Sequence, residues 1–229
     1  RFEAGNIIED GKGGIIQINT FEGKQFSFQQ FSSGLKLEKE ISIDMKDKIQ
    51  NVTHFERMVA LKTKKYVFLR DVRKDANTEG ITALEFIPSN LELSFVPVPL
   101  FQSSFKVINE RDLNRQNKTY EFFISEDKSK FLYKYTLVPK VKSNSTSKKM
   151  IGLHVFDENL QKIWGGEFEM PYTQNRMKIT DCKFTYDGSV YLLIKVLKEN
   201  TVDLIGNYHY EVLTFQKNNT DQKPIVLNV

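Results

Sequence analysis

Hydrophobic and polar positions alternate along this chain in short segments that polar turns separate. Between Tyr120 and Tyr172 the pattern predicts four consecutive strands: YEFFI, then FLYKYTLV after an SEDKS turn, then MIGLHVF, then a strand through IWGGEFEM after a DEN turn. Short segments rich in β-branched and aromatic residues, with turn signals between them, are typical of antiparallel sheets. We therefore expect an all-β chain.

The same pattern of four predicted strands recurs before and after this stretch. Each repeat carries a phenylalanine followed by a small polar turn, and these residues are Phe31, Phe86, Phe156 and Phe215, at spacings of 55, 70 and 59 residues. In three repeats a leucine follows the turn: Leu35, Leu91 and Leu160. A repeat of about four strands indicates a β-propeller, whose blade is a four-stranded antiparallel sheet.

The predicted fold is an all-β β-propeller of four-stranded antiparallel blades. We place the blades at residues 5–45, 52–100, 103–172 and 175–229, within a single domain. A β-sandwich is the alternative, but a sandwich does not require an aromatic-plus-turn phrase at a regular period. The first predicted blade looks incomplete at its beginning, and the chain stops directly after a strand. We therefore expect about four blades of a larger propeller, and an incomplete propeller of this kind would expose two apolar blade faces.

Composition excludes several classes of site. The net charge is +4, from 33 Lys and Arg against 29 Asp and Glu, which is ordinary for a surface and does not by itself indicate nucleic acid. Cys182 is the one cysteine, so the chain has no intrachain disulfide and no cysteine metal cluster. No apolar run approaches the ~18 residues of a membrane helix. We predict no cofactor and no transmembrane segment.

The third and fourth repeats contain F-x-S-x-D-x-S-K-x-L, V-F-D-x-N-L-x-x-x-W, M-P-Y and D-G-x-V-Y-L-L-x-K. The residues in these motifs are Phe123, Ser125, Asp127, Ser129, Lys130, Leu132, Val155, Phe156, Asp157, Asn159, Leu160, Trp164, Pro171, Tyr172, Asp187, Gly188, Val190, Tyr191, Leu192, Leu193 and Lys195. This text resembles a group of exported propeller-like proteins of the Bacteroidetes lineage. The resemblance covers about half the chain and is looser in the first two repeats.

The resemblance implies a fold and a setting, and it brings no catalytic residue with it. It implies that Asp127 and Asp187 lie in hairpin turns and that Phe156 and Leu160 lie in core strands. It also implies an extracytoplasmic location, in the periplasm or at the cell surface, associated with the outer membrane. A lipid anchor would then belong to a segment outside this chain.

A basic hairpin is the first candidate binding site. Lys140, Lys142, Lys148 and Lys149 surround the segment SNSTS, without an acidic residue among them. Such a loop could contact an acidic partner, a membrane surface or lipopolysaccharide phosphates, or it could simply be a solvated loop. Nucleic acid is not expected, because the nearby aromatic residues alternate as strand core residues do.

Other chemistry is sparse. His54, His154 and His209 fall in different repeats without metal-ligand spacing, so we expect hydrogen-bonded strand histidines and no metal site. Cys182 is expected to be a small buried residue; a nucleophile would need a neighbouring base. Trp164, followed by two glycines, is either a packed residue beside a bulge or a platform for stacking sugars.

We therefore predict a non-enzymatic scaffold or binding subunit of a cell-envelope complex, with other envelope proteins as partners. The alternative is a glycan-binding module or a hydrolase, with its site at the propeller mouth. Such a site would be assembled from the loops of several blades, which a linear sequence displays poorly.

Overall fold

The computed structural model describes residues 7–21, 25–45, 48, 52–73, 78–108, 120–138, 146–197, 207–218 and 225–227. These residues form strands and turns, and none of them is helical. Accordingly, the described ranges contain no helix that is long and apolar enough to cross a bilayer. The chain divides into two units, one formed by Arg1–Ser104 with Glu158–Leu160 and the other by Phe105–Asp157 with Gln161–Val229.

The first unit contains two antiparallel sheets. The first blade is formed in chain order by β1 (Ile7–Glu9), β2 (Ile15–Phe21), β3 (Gln25–Phe31) and β4 (Leu37–Asp44). The second blade is formed by β5 (Val52–Ala60), β6 (Lys65–Arg73), β7 (Thr78–Ile87) and β8 (Glu92–Leu93). A further strand, β9 (Val98–Gln102), also pairs with β7, so the outer edge of this blade is built from two pieces.

The second unit contains the other two sheets. The third blade is formed by β10 (Tyr120–Ile124), β11 (Lys130–Leu137), β12 (Lys148–Asp157) and β13 (Lys162–Thr173). The fourth blade is formed by β14 (Met177–Phe184), β15 (Val190–Leu197), β16 (Tyr208–Phe215) and β17 (Ile225–Leu227). The four strands predicted between Tyr120 and Tyr172 are β10 to β13.

The predicted fold class is confirmed: the chain is all-β and consists of four-stranded antiparallel propeller blades. Each sheet pairs its first four strands in sequence order, as a meander does, and β9 is a further strand of the second sheet. Four separate sheets also differ from the two facing sheets of a β-sandwich. The predicted blade limits, the single domain and the larger propeller remain predictions.

The first unit buries one face of each of its two sheets against the other. Ile16, Ile18 and Phe28 of the first blade are fully buried in a cluster that includes Leu84 and Phe86 of the second blade. The rings of Phe28 and Phe86 stack, with centroids 4.8 Å apart. Alternation along β2 supplies this face, since its even-numbered residues are the buried ones.

The opposite face of the first blade carries polar side chains at its centre, between the half-buried Ile15 and Phe31 at one end and Phe21 at the other. Gln17 donates to Asn19 at 2.8 Å, Asn19 donates to Gln29 at 3.1 Å, and Gln29 donates to Glu40 at 3.1 Å. Ser27 also donates to Glu40, at 2.7 Å. These side chains form a hydrogen-bonded row across β2, β3 and β4, which we call the amide row.

The core of the second unit lies between the third and fourth blades. Leu132, Leu153 and Val155 of the third blade pack in one buried cluster with Leu192 and Ile194 of the fourth. The odd-numbered residues of β11 face the other way and are also buried, as Phe131 and Tyr133 are. Because both faces of β11 are buried, its sequence is a nearly continuous apolar run rather than an alternating one.

The recurring leucines occupy an unusual backbone conformation. Leu35, Leu91 and Leu160 have φ values of 58°, 56° and 66°, and each follows the turn after the third strand of its blade. A left-handed residue at this place is typical of hairpin loops that contain a type I turn and a bulge. Leu91 is fully buried, whereas Leu35 is 69% exposed. The repeated leucine therefore has one backbone role and different side-chain surroundings.

The predicted hairpin turns at Asp127 and Asp187 are confirmed. Asp127 accepts hydrogen bonds from the Ser125 hydroxyl at 2.7 Å and from the Ser129 backbone N–H at 3.1 Å. Asp187 accepts from the Thr185 hydroxyl at 2.6 Å. These hydrogen bonds hold the pKa of both carboxyl groups below the usual value for aspartate. Asp127 and Asp187 are thus turn-forming residues, and Phe156 lies in β12 as expected. Leu160, expected in a core strand, lies in the turn between β12 and β13 instead.

Candidate functional site

The basic hairpin is described only at its end. Lys140 and Lys142 lie outside the described residues. Lys148 is exposed, and its Nζ lies 3.1 Å from Glu169 Oε1. Lys149 is partly buried, and burial lowers the pKa of its ammonium group, with the like charge of Lys134 adding to the effect. Contact of this hairpin with an anionic partner remains a prediction.

Trp164 is a core residue, so its interpretation as a sugar-stacking platform is wrong. Its side chain is 7% exposed, and the indole Nε1 donates to the Gly188 carbonyl at 2.9 Å. The neighbouring Gly165 has a φ of 145°, and a Cβ there would lie within 2.7 Å of Leu153 O and His154 Cα. The glycine permits this close approach of two strands, and the tryptophan is the packed residue of the other interpretation.

Cys182 has the properties of a packed residue. It lies on β14 and packs against the core cluster of the second unit. Burial raises the pKa of its thiol to about 12, which keeps the sulfur protonated and a poor nucleophile near neutral pH. Cys182 is partly rather than fully buried, so the expectation of a small buried residue is confirmed only in its packing against the core.

His154 is the hydrogen-bonded strand histidine that the sequence predicts. It lies on β12, where its Nε2 is 3.1 Å from the hydroxyl of Tyr135. The same hydroxyl donates to Glu167 Oε1 at 3.0 Å. Gly152, the cross-strand partner of Tyr135, leaves the space in which the tyrosine ring lies. Burial lowers the pKa of His154 to about 3, and the charge of Lys162 adds to the effect, so the imidazole is neutral at pH 7.

The strongest candidate site is centred on Glu211, in the third strand of the fourth blade. Alternation along β16 places Glu211 on the same face as Leu213 and Phe215, which are fully buried between the two sheets of the second unit. Glu211 is 2% exposed. A carboxylate is costly to bury unless hydrogen bonds compensate for the lost hydration, so its partners need explanation.

One oxygen of this carboxylate has two partners. Glu211 Oε1 accepts a hydrogen bond from the hydroxyl of Tyr172 at 2.8 Å, and His209 Nε2 lies 2.6 Å from it. Tyr172 comes from the end of β13, so the contact joins the third and fourth blades. Burial raises the pKa of the Tyr172 phenol, and its hydrogen bond to Glu211 adds to the effect.

The second oxygen, Glu211 Oε2, is also buried, and it has no hydrogen-bond partner among the residues that the structure describes. At the edge of this site, the guanidinium of Arg176 lies 5.7 Å from the centre of the Tyr172 ring and donates to the Leu197 carbonyl at 3.2 Å. The side chain of His209 is 29% exposed. We call Tyr172, Arg176, His209 and Glu211 the Glu211 site.

The Glu211 site offers a negative acceptor beside two polar donors and an aromatic ring. An unpaired carboxylate oxygen can accept a hydrogen bond from a hydroxyl group or an amine of a ligand, and such charge-assisted bonds are stronger than neutral ones. Within the described ranges, no group of three or more His, Cys, Asp and Glu side chains is placed to hold a metal ion. What the site offers is hydrogen bonding, through a buried carboxylate oxygen that has no partner among the described residues.

His209 is among the residues predicted from the sequence, whereas Glu211 is not. The signal was present in YHYEVLTF, because strict alternation places His209, Glu211, Leu213 and Phe215 on one face. An acidic residue in an otherwise apolar row of a strand is the informative exception. Tyr172 and Arg176 could not be assigned in this way, since they approach Glu211 from the neighbouring blade and the turn after it.

Comparisons with known proteins show likeness at the level of overall structure. No protein-family profile matches the chain. No curated protein matches it in sequence either. A thermostable family-43 glycoside hydrolase aligns with 12% identity over 99% of this chain and 72% of its own, with a TM-score of 0.47. A family-43 endo-arabinanase from Bacillus licheniformis aligns with 14% identity over 97% and 78%, with a TM-score of 0.43.

The β-propeller domain of the trilobed protease from Pyrococcus furiosus is a third similar structure. It aligns with 10% identity over 99% of this chain and 57% of its own, with a TM-score of 0.49. Likeness at these values says nothing about what this chain binds. The chain's own residues are therefore the evidence for what it binds.

Proposed function

We propose that this chain is a glycan-binding module and that its second unit holds a sugar at the Glu211 site. The observation that supports the proposal is the buried Glu211 Oε2, which lacks a partner among the described residues. A buried acceptor without a partner costs about 1–3 kcal/mol, and more when it is charged. A ligand hydroxyl that displaced the partly exposed His209 side chain and donated to this oxygen would recover that free energy.

The other residues of the site suit a polyhydroxylated ligand. Arg176 and the partly exposed His209 are polar groups at the edge of the site, and the Tyr172 ring lies beside the carboxylate with the Arg176 guanidinium over one of its faces. Sugars carry hydroxyl groups around an apolar ring face, so they match a site that combines a carboxylate with an aromatic side chain.

Binding without hydrolysis is the simpler use of this site. Glycoside hydrolysis by the common mechanism needs two carboxyl groups that flank the bond to be broken, roughly 5–9.5 Å apart. The Glu211 site supplies one carboxylate, and its Oε1 is already engaged by Tyr172 and His209. We therefore propose a binding module rather than a hydrolase.

The test is calorimetric titration of the purified chain with the oligosaccharides that it retains from a glycan array. Glu211→Gln keeps the size of the side chain and removes its charge. We expect its affinity to fall by roughly 10- to 100-fold, the value of a hydrogen bond to a charged group. Glu38→Gln, on the exposed edge strand β4, is the matched control and should bind normally.

Two outcomes would overturn the proposal. One is a folded wild-type chain that binds no glycan. The other is a Glu211→Gln variant that binds as tightly as the wild type. If Glu211→Gln does not fold, Tyr172→Phe replaces it, because this change removes a hydroxyl that donates to the carboxylate and should also weaken binding. Release of reducing sugar by the wild type would indicate the hydrolase instead.

The sequence resemblance supports a place for this module among exported proteins of the cell envelope. We propose that it acts there as a non-catalytic subunit that brings a glycan to an outer-membrane-associated complex. Affinity capture of the full-length protein from its native membrane fraction should then recover it with other envelope proteins in fixed stoichiometry. Recovery as a monomer in the cytosolic fraction would refute both the location and the complex.

A further inference from the structure

The fourth blade has a second face, opposite the one that carries Glu211. Along β15 the residues alternate between fully buried and half-buried positions. Ile194 lies on the buried face and Lys195 on the other. Cross-strand partners share a face of a sheet, so the register of β14, β15 and β16 defines which residues surround Lys195.

This face combines lysines and tyrosines with the aliphatic residues Leu193 and Val212, which lie opposite each other at its centre. Lys178 and Tyr210 lie opposite Lys195, on either side of it, and Lys183 lies opposite Tyr191. Tyr208 is two residues before Tyr210 on β16 and therefore shares the face. We call Lys178, Lys183, Lys195, Tyr191, Tyr208 and Tyr210 the lysine–tyrosine face. Lys178 and Lys183 are exposed, and the other four are half-buried.

The charge of this face is positive. Among the described residues that share it, Asp181 is the acidic one, and its Oδ1 accepts a hydrogen bond from the Cys182 backbone N–H at 2.8 Å. Lys183 lies opposite Tyr191, and Tyr191 is four residues from Lys195 on β15. Lys183 and Lys195 are therefore about 13 Å apart along the strand direction. A ligand that pairs with all three lysines must therefore be an extended chain with several negative charges.

The arrangement of the rings limits what that chain can be. The Nζ of Lys195 lies 3.4 Å from the centre of the Tyr208 ring, so one face of that ring is already covered. The ring planes of Tyr208 and Tyr210 meet at 83°, with ring centroids 5.5 Å apart, so the two rings do not offer parallel surfaces on which successive bases could stack. Proteins that bind single-stranded nucleic acid obtain much of their binding energy from bases stacked on such aromatic surfaces.

We propose that the lysine–tyrosine face binds an acidic polysaccharide. The lysines pair with its carboxylate, sulfate or phosphate groups, and the phenol groups hydrogen-bond to its hydroxyls. This binding does not depend on the Glu211 site, which lies on the other face of the same sheet. Ligand binding at the two surfaces can therefore be tested independently.

The test measures binding of the whole chain to polygalacturonate, a linear acidic polysaccharide, at several salt concentrations. We expect binding that weakens as salt rises, and little binding to the fully methyl-esterified form, which is neutral. Lys178→Gln with Lys183→Gln should lower the affinity about tenfold, since each surface charge contributes a modest share. Lys36→Gln with Lys62→Gln removes two exposed lysines of the first unit and should change it little.

Glu211→Gln separates this proposal from the proposed function, because it should leave polygalacturonate binding intact. Three results would overturn the inference: equal loss in the control double variant, equal binding of the neutral ester and of polygalacturonate by the Glu211→Gln variant, or no binding of polygalacturonate at low salt. Tighter binding of a single-stranded oligonucleotide than of polygalacturonate would overturn it too, in favour of nucleic acid. All substituted lysines are exposed, so the variants should fold.

Discussion

Gly152 lies beneath the ring of Tyr135 in the third blade, and replacing this glycine by alanine is expected to destabilise the second unit. A Cβ at position 152 would lie within 2.5 Å of the Cζ, Cε1 and Cε2 atoms of that ring. Carbon atoms pack best at about 3.5–4.0 Å, so the ring would have to retreat by at least about 1 Å. A smaller movement of the Tyr135 ring would leave the added methyl group in steric overlap with it.

The retreat of the ring also breaks hydrogen bonds. The Tyr135 hydroxyl lies 3.0 Å from Glu167 Oε1 and 3.1 Å from His154 Nε2, so a shift of about 1 Å moves it out of bonding range of at least one of them. Overpacking costs about 1–3 kcal/mol, and a buried polar group left without a partner costs about as much again. We expect a loss of about 3 kcal/mol, which lowers Tm by roughly 6–12 °C.

Urea unfolding followed by the fluorescence of Trp164, the one tryptophan of the chain, measures this loss in the second unit. Gly166→Ala is the matched control, because its Cβ would meet only Phe168 Cζ, at 3.8 Å, an ordinary contact. Tyr135→Phe isolates the hydrogen bonds and should cost about 1–3 kcal/mol. A loss under about 1 kcal/mol for Gly152→Ala, or the same loss in the control, would refute the argument.

Three further predictions concern single side chains. Leu35→Gly should stabilise the chain by about 0.5 kcal/mol, because glycine adopts the left-handed backbone at this exposed position without the strain of a leucine. Leu91→Gly should destabilise it by about 2–4 kcal/mol, because it removes a buried side chain. Urea unfolding measures both changes, and a loss of stability in both variants would contradict the prediction. His154 is buried with a pKa of about 3, so the unfolded chain binds a proton below pH 6.5 that the folded chain does not. Stability that is present above pH 6.5 should thus fall towards pH 3, and His154→Gln should flatten this slope in urea titrations; an unchanged slope would show that another group is responsible. Cys182, with a pKa of about 12, should react with a disulfide reagent at pH 8 only after unfolding, and rapid labelling of the native chain would show that the thiol is accessible.

The blades could be predicted from the sequence because the information that specifies them is local. Alternation and turn residues define β10 to β13, and the phenylalanine-plus-turn phrase marks the third strand of each blade, as Phe156 does. The repeated leucine was recognised as a marker, but its left-handed backbone was not, since a leucine does not by itself indicate φ above zero.

The candidate site could not be predicted in the same way, because it depends on which residues meet across two sheets. Trp164 was a plausible stacking platform until the structure placed its indole against Gly188. The Glu211 site combines β16 with the end of β13, residues that are 39 positions apart for Tyr172 and Glu211. Alternation identifies Glu211 as buried, but only the packing of the blades identifies its partners.

The amide row on the first blade makes that surface hydrophilic without relying on many charges. Its hydrogen bonds run in one direction, from Gln17 through Asn19 and Gln29 to the carboxylate of Glu40. Because these donors and acceptors already satisfy one another, a second sheet that stacked here would have to break existing bonds before forming new ones. We therefore expect this part of the surface to resist the stacking of a second sheet, and to do so even at salt concentrations that would screen a charged surface.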